Sequence, residues 1–251
     1  MKIFGLIGYP LEHSYSKKYF TRKFSKEEIN NVIYNEFPIK DIRELRSLVN
    51  QYPELQGLNV TIPFKEKVIP YLDKIDHVAK IIGSVNTIQI DRTNNKPQLT
   101  GYNTDFFGFE KSLLQLIKKE KPQKTLIFGS GGSSKTAQFI LNKFEIEFQI
   151  VSRKAGDNQL SYEDVDKEII DSHKLIINTT PLGMYPNISS FPKIAYEYLT
   201  NSHFLFDFIY NPSETTFLKK GKEKGAKVQN GLKMLYLQAE KSWEIWNKDE
   251  E

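Results

Sequence analysis

The chain has 251 residues, 39% of them hydrophobic and 26% charged, which is ordinary for a soluble protein and enough for one sizeable core or two modest ones. Its formal net charge is only +4 and its lysines are scattered, which argues against a nucleic-acid partner and leaves attraction of a small anion open. With no cysteine, disulfides, thiolate nucleophiles and cysteine-bearing metal sites are excluded.

The apolar run 3–7 predicts a first strand. It is too short for a signal-peptide core and meets Pro10, Glu12 and His13 at once, and no later run approaches a membrane span. A cytoplasmic location is therefore expected. A helix over 16–28 and a strand over 32–37 follow, and then Asp41 as the N-cap of a helix reaching about residue 52. Residues 58–62 read as a short strand stopped by Pro63, and 65–72 as helical. Strands are predicted at 85–90 and 98–102, with Asn94-Asn95 as the turn between them. An amphipathic helix over 106–119 ends in a basic cluster, and 121–123 is the expected linker. Beyond it come strands at 126–128, 148–152, 175–178, 204–208 and 227–229, with helices at 135–144, 214–224 and 232–246. Strands alternating with helices predict parallel α/β architecture.

The most informative stretch is Thr125-Leu-Ile-Phe-Gly129-Ser130-Gly131-Gly132-Ser133-Ser134, in the middle of the chain. A strand feeding a glycine-rich turn and then a helix suits a pyrophosphate, because glycines admit the ligand to the backbone and the helix N-terminus offers free N–H groups. The same pattern can be only a tight turn, and Ser134 stands where the usual fingerprint has its third glycine. The next strand ends in Ser152-Arg153-Lys154, two cations and no carboxylate. A carboxylate there would bind the ribose 2′-hydroxyl of NAD, whereas arginine can pair bidentately with the 2′-phosphate of NADP. NADP is the expected cofactor, with solvated surface charge as the alternative.

Several polar groups cluster in the first hundred or so residues. Ser14 and Ser16, after the first strand, can face one carboxylate, or Ser16 can simply cap a helix. Lys65 follows the Pro-terminated strand Gly57-Leu-Asn59-Val-Thr61-Ile-Pro63 and can project towards a ligand as a proton donor, although most lysines face solvent. Asn86-Thr87 and Asn103-Thr104-Asp105 place amide, hydroxyl and carboxylate groups at strand ends, with turn and capping chemistry as the competing role and Asp105 a natural N-cap.

Taken in order, these motifs resemble the shikimate dehydrogenase family along nearly the whole chain. The matches are Gly8-Tyr-Pro with His13-Ser14-x-Ser16, Asn59-Val-Thr61-x-Pro63-x-Lys65, Gly83-x-Val-Asn86-Thr87 and Asn103-Thr-Asp105-x-x-Gly108-Phe. They continue with Gly129-x-Gly-Gly, Asn178-Thr-Thr-Pro-Leu-Gly-Met184, Asp207-x-x-Tyr210-x-Pro212-x-x-Thr215 and Asn230-Gly-Leu-x-Met-Leu-x-x-Gln238-Ala. The resemblance implies that Ser14 and Ser16, helped by Tyr210, bind the shikimate carboxylate. It implies that Thr61, Asn86, Asp105 and Gln238 hold the ring hydroxyls, with Lys65 and Asp105 as the catalytic pair. It assigns Gly129, Ser130, Gly131, Gly132 and Ser133 to the pyrophosphate, Ser152, Arg153 and Lys154 to the adenosine end, and Phe208 and Gly231 to the nicotinamide. Lys17, Lys18-Tyr19-Phe20 and Ser152 depart from the family's usual residues.

The expected activity is reversible reduction of 3-dehydroshikimate to shikimate by NADPH, a step towards chorismate and the aromatic amino acids, without a metal. A quinate dehydrogenase, a methyltransferase and a nucleotide-sensing protein without turnover are the rivals. The expected fold is two α/β domains with a cleft between them: a mixed-sheet substrate domain over 1–103 and a Rossmann-type dinucleotide domain over 104–236. The C-terminal helix, 237–251, is expected to return to the first domain. The expected partner is the small-molecule substrate, in a monomer or homodimer.

Overall fold

A computed structural model describes every residue except His13, Asn94, Asn95, Lys154, Ala155, Asp157, Asn158 and 249–251. The predicted turn at Asn94-Asn95 and the cofactor role of Lys154 lie outside the described residues. The chain divides into unit 1, residues 1–104 and 238–251, and unit 2, residues 105–237.

Unit 1 is built from β1 (Lys2–Gly8), α1 (Ser16–Lys26), β2 (Val32–Pro38), α2 (Leu45–Gln51), β3 (Leu55–Val60), β4 (Lys74–Ile75), α3 (His77–Ile82), β5 (Thr87–Asp91) and β6 (Gln98–Tyr102). The strands form one mixed sheet in the order β2-β1-β3-β5-β6-β4. β1 runs parallel to both β2 and β3, whereas β5 is antiparallel to β3 and to β6. Alternate side chains of β1 go to opposite faces. Ile3 and Ile7 join a core with Leu45, Leu55, Leu58 and Ile88, while Phe4 and Leu6 join Phe20, Phe24, Tyr34 and Trp246. Asp41 accepts the Arg43 N–H at 2.9 Å and Glu44 accepts the Asp41 N–H at 3.0 Å. This capping box opens a 3-10 turn that runs into α2.

Unit 2 contains α4 (Asp105–Ile117), β7 (Lys124–Phe128), α5 (Gly132–Lys143), β8 (Glu147–Val151), β9 (Gln159–Leu160), α6 (Lys167–Ser172), β10 (Leu175–Asn178), β11 (Phe204–Asp207), α7 (Thr216–Glu223) and β12 (Lys227–Gln229). α8 (Leu232–Trp246) begins in unit 2 and ends in unit 1. The unit 2 sheet has the order β12-β11-β10-β7-β8-β9, and every pairing is parallel. In this doubly wound arrangement the strand order reverses between β7 and β10, the switch point at which a dinucleotide-binding sheet receives its ligand. Both faces are covered, as a parallel sheet requires. Ile127, Ile177 and Phe206 pack on one side with Phe109 and Ile140, and Leu126, Ile176 and Leu205 on the other with Ile170 and Phe217.

The strands at 98–102, 175–178 and 227–229 and the helix at 232–246 have the bounds expected from the sequence. The predicted helix at 65–72 is instead a series of turns closed by a single 3-10 turn at Ile69–Tyr71. Pro70 withholds the N–H that an α-helix there would donate to the Glu66 carbonyl, and its ring would clash with that carbonyl. β4, α3, β9 and α6 were not anticipated; each has six residues or fewer, too short for a periodic signal. Among the described residues no helix is long and apolar enough to cross a membrane.

Candidate active site

In unit 1 the topology brings the predicted polar residues to one edge of the sheet. β1 and β3 are parallel, so the segments holding Ser14 and Ser16 and holding Thr61 and Lys65 leave the same edge. β5 is antiparallel to β3, so Asn86 enters at that edge, and β6 returns Asn103 and Thr104 to it. Backbone bonds join these segments: Thr61 N–H to Ile7 O at 3.0 Å, Tyr9 N–H to Ile62 O at 3.1 Å, and Val85 N–H to Lys65 O at 2.7 Å. Gly8 has no room for a side chain, since a Cβ there would overlap the Thr61 methyl group. Lys65 is half-buried, in the turn that carries it out of β3.

Asn86 lies at the centre of a buried network. Its carbonyl oxygen accepts the Thr104 N–H at 2.6 Å, and its amide nitrogen donates to Thr104 Oγ1 at 2.9 Å and to Gln238 Oε1 at 3.2 Å. Asn59 donates to Ser242 Oγ at 3.0 Å and accepts from the Tyr34 hydroxyl at 2.7 Å. Ser242 Oγ lies 2.8 Å from Thr87 Oγ1 and 3.1 Å from Thr104 Oγ1, and donates to Gln238 O at 2.9 Å. Two expected ring-hydroxyl ligands, Asn86 and Gln238, are therefore bonded to each other and backed by Thr87, Thr104 and Ser242. Ser242 was not singled out from the sequence, although it lies one helical turn after Gln238 and so on the same face of α8.

The competing capping roles resolve differently. Tyr15 is the N-cap of α1, and it is the Ser14 hydroxyl that accepts the Ser16 N–H at 3.2 Å. Asp105 is the first residue of α4 and is buried, 5% exposed.

In unit 2 the C-terminal ends of the parallel strands share one edge, where ligands of such sheets bind. After β7, Gly129 adopts φ +108°, a conformation suited to glycine, and a Cβ there would lie 2.7 Å from Thr179 Oγ1. Gly131 is the N-cap of α5, and a Cβ there would meet nothing within 4 Å. α5 starts at Gly132, three residues earlier than expected, so Ser133 and Ser134 belong to its first turn. The first-turn N–H groups of a helix have no intrahelical acceptor, and with Ser130 and the open space over Gly131 they fit the pyrophosphate of a dinucleotide. Ser134, in place of the third glycine, is buried and accepts from Gln138 at 3.1 Å. The Ser152 N–H bonds to Leu160 O at 2.9 Å, and Arg153 just beyond it is exposed.

Phe208 follows β11, with its ring 5.0 Å from Phe109. Gly231 donates its N–H to Ile209 O at 3.0 Å, and a Cβ on Gly231 would overlap the Phe208 carbonyl oxygen. The two residues expected beside the nicotinamide are thus in contact, and Tyr210 lies half-buried two residues after Phe208. Asp207, just before them, is fully buried. Burial pushes its carboxyl up to about 7, against hydrogen bonds from Thr215, the Ile209 N–H and Asn178 that favour the charged form. Its hub role was not anticipated, although both Asp207 and Asn178 open motifs in the sequence. Among the described residues no group of three or more His, Asp or Glu side chains is placed to hold a metal ion.

A sequence profile described as the shikimate dehydrogenase substrate binding domain matches residues 6–88. A protein of Methanococcus vannielii named shikimate dehydrogenase (NADP(+)) is 40% identical over 264 aligned positions, covering 97% of this chain and 90% of the relative. A crystal structure of a shikimate dehydrogenase in complex with NADP+ is 33% identical, with a TM-score of 0.86 over 99% of this chain and 90% of the other. The shikimate 5-dehydrogenase of Thermus thermophilus, in complex with NADP(H) and shikimate, is 27% identical, with a TM-score of 0.81 over 99% and 94%. With 40% identity along nearly all of both sequences, the chain belongs to the shikimate dehydrogenase family.

Proposed function

We propose that the protein catalyses the reversible NADPH-dependent reduction of 3-dehydroshikimate to shikimate, as a shikimate dehydrogenase of the NADP-using kind. The observation that carries this is the 40% identity to a relative named for that reaction and that cofactor, along 97% of the chain. The unit 2 edge supports it from physics. Its glycine loop opens onto the first turn of α5, and Arg153, in the run Ser152-Arg153-Lys154 that follows β8 and holds no carboxylate, suits a 2′-phosphate.

Unit 1 is the substrate domain in this proposal, and unit 2 holds the cofactor. Ser14 and Ser16 bind the ring carboxylate with Tyr210, and Thr61, Asn86, Asp105 and Gln238 bind the ring hydroxyls. Gly129, Ser130, Gly131, Gly132 and Ser133 hold the pyrophosphate, Ser152 and Arg153 the adenosine end, and Phe208 and Gly231 flank the nicotinamide. NADPH, when bound, supplies the hydride that adds to the C3 carbonyl carbon. Lys65, as an ammonium, stabilises the charge that develops on the carbonyl oxygen and gives it a proton, and takes the proton back in the oxidative direction. Asp105 fixes the position of that ammonium and of the substrate hydroxyl. Thr104 and Ser242 hold Asn86 and Gln238 in place, so that fewer side-chain rotations are lost when substrate binds.

The test is a rise in the near-ultraviolet absorbance of reduced nicotinamide when the protein meets shikimate or quinate with NADP+ or NAD+. Rapid reduction is expected with shikimate and NADP+. A preference for quinate with NAD+ would reassign the substrate and cofactor, and no reduction with any pair would refute the enzymatic assignment.

A further inference from the structure

At the C-terminal edge of the unit 2 sheet, the Asp207 carboxylate ties together segments that the sequence keeps apart. Asp207 is 0% exposed. Its Oδ2 accepts from the Thr215 hydroxyl at 2.6 Å, and its Oδ1 accepts from the Ile209 N–H at 3.0 Å and from Asn178 Nδ2 at 3.1 Å. An ionised carboxylate only accepts, so three donors converging on it form a matched set.

Each donor organises a loop. Asn178 ends β10 and folds the segment after it, accepting the Thr180 N–H at 3.1 Å and the Thr180 hydroxyl at 2.6 Å and donating to Leu182 O at 3.2 Å. Thr215 caps α7 by accepting the Leu218 N–H at 3.4 Å. Ile209 passes the connection on through its carbonyl, which accepts the Gly231 N–H at 3.0 Å. At Gly231 a Cβ would overlap the Phe208 carbonyl oxygen and lie 3.3 Å from that of Asp207. A single buried side chain therefore sets the loops after β10 and β11 and the turn into α8.

We infer that Asp207 is a positioning residue, which with Asn178 holds the loops after β10 and β11 in the shape that receives the nicotinamide half of the cofactor. The inference rests on the dinucleotide assignment of Phe208 and Gly231 made above. It separates the two halves of the cofactor, because the bonds of Asp207 run to Asn178, Ile209 and Thr215, whereas Gly129–Ser133 and Arg153 follow β7 and β8, and the two regions meet where Gly129 faces Thr179 and Thr180.

Calorimetric titration of Asp207→Ala with NADP+ and with 2′,5′-ADP, the adenine half alone, tests this separation. The expected result is an NADP+ Kd raised about tenfold or more, with the 2′,5′-ADP Kd within about twofold of wild type. Asp207→Asn should restore most of the NADP+ affinity. Its amide oxygen can accept from Asn178 and Ile209 while its NH2 turns to the Thr215 oxygen. Equal weakening of both ligands would make Asp207 a purely structural residue, and either unchanged NADP+ affinity in the alanine variant or no rescue by asparagine would overturn the inference. Should Asp207→Ala not yield folded protein, Asn178→Ala keeps the Thr215 and Ile209 bonds and serves for the same pair of titrations, with the same result expected. Wild-type protein that binds neither ligand would refute the cofactor assignment itself, an outcome distinct from failure of the inference.

Discussion

Both units gather polar side chains at one sheet edge and lock them in a buried network, but the two networks differ in chemistry. In unit 1 the members are amides and hydroxyls: Tyr34, Asn59, Asn86, Thr87, Thr104, Gln238 and Ser242. In unit 2 the hub is the Asp207 carboxylate, with Asn178, Thr180 and Thr215 around it. A neutral network can swap donors and acceptors among its hydroxyls, so it tolerates pH and loses little when one bond is cut. A buried carboxylate senses pH, and its donors incur the full desolvation penalty when the acceptor is removed.

The largest effect is expected at the unit 1 edge, where Lys65 is the group assigned to the proton transfer. Lys65→Ala should lower kcat by roughly 10²- to 10⁴-fold, with a smaller change in KM for shikimate. Steady-state kinetics decide it: near-normal kcat with only KM raised would remove Lys65 from the proton transfer. Next comes the exposed cation of unit 2. Arg153→Ala should cut the preference for NADPH over NADH by about tenfold to a hundredfold, as expected for losing a hydrogen-bonded charge pair. A preference that does not move would detach Arg153 from the 2′-phosphate and leave it a surface charge.

A third effect belongs to unit 2 alone, because its hub can ionise. Burial raises the Asp207 carboxyl from 3.8 to about 7, so as pH rises the unfolded chain loses its proton first. The stability this confers is fully present below about 4 and is lost as pH climbs to about 7. Tyr196, whose phenol is pushed up by burial and by the Asp207 charge, stays neutral across that range. His173 and His203 are lowered by burial and act oppositely, costing stability as pH falls through 6.5. Subtracting the Asp207→Asn profile from wild type isolates the carboxyl: relative to the variant, wild type should lose about 1.4 kcal/mol per pH unit while the group titrates. Urea denaturation should be followed by far-ultraviolet circular dichroism, since both tryptophans, Trp243 and Trp246, lie in unit 1. A flat difference would mean that Asp207 ionises in the ordinary carboxylate range.

The contrast also shows what the sequence could and could not disclose. The unit 2 strands were legible because a sheet buried on both faces demands apolar runs, such as 175–178 and 204–208, and because Gly129-Ser-Gly-Gly marks the turn after β7. Lys65, Asn86 and Asp105 were open to capping, turn or solvent-facing roles until the order of their motifs narrowed them, and Gln238 was legible only through that order. The network behind them was not, because the Asn59–Ser242 bond spans 183 positions in sequence and depends on where α8 lands. The stretch 65–72 was misread as a helix because the apolar spacing of Val68, Ile69 and Leu72 fits one. Those side chains reach the unit 1 core from turns instead.

The smallest effect tests the tolerance of the neutral network. Ser242 Oγ touches Asn59, Thr87, Thr104 and the Gln238 carbonyl, so Ser242→Ala removes four contacts at once. Most of the partners left behind have others within reach. Asn59 Nδ2 also lies 3.3 Å from Thr87 Oγ1 and 3.3 Å from Asn86 O, and Thr104 Oγ1 remains bonded to Asn86. The loss should therefore be about 1 kcal/mol, the net worth of a single hydrogen bond, and not the several kcal/mol that four separate bonds would suggest. Urea denaturation followed by tryptophan fluorescence reads it directly, because Trp246 packs in the unit 1 core beside Phe4 and Phe20. KM for shikimate should rise a few-fold as Gln238 loosens, with NADP+ affinity unchanged. A loss as large as that from breaking a buried charge pair would show that the unit 1 network is as rigid as the one around Asp207, and that the uncharged hub does not soften it.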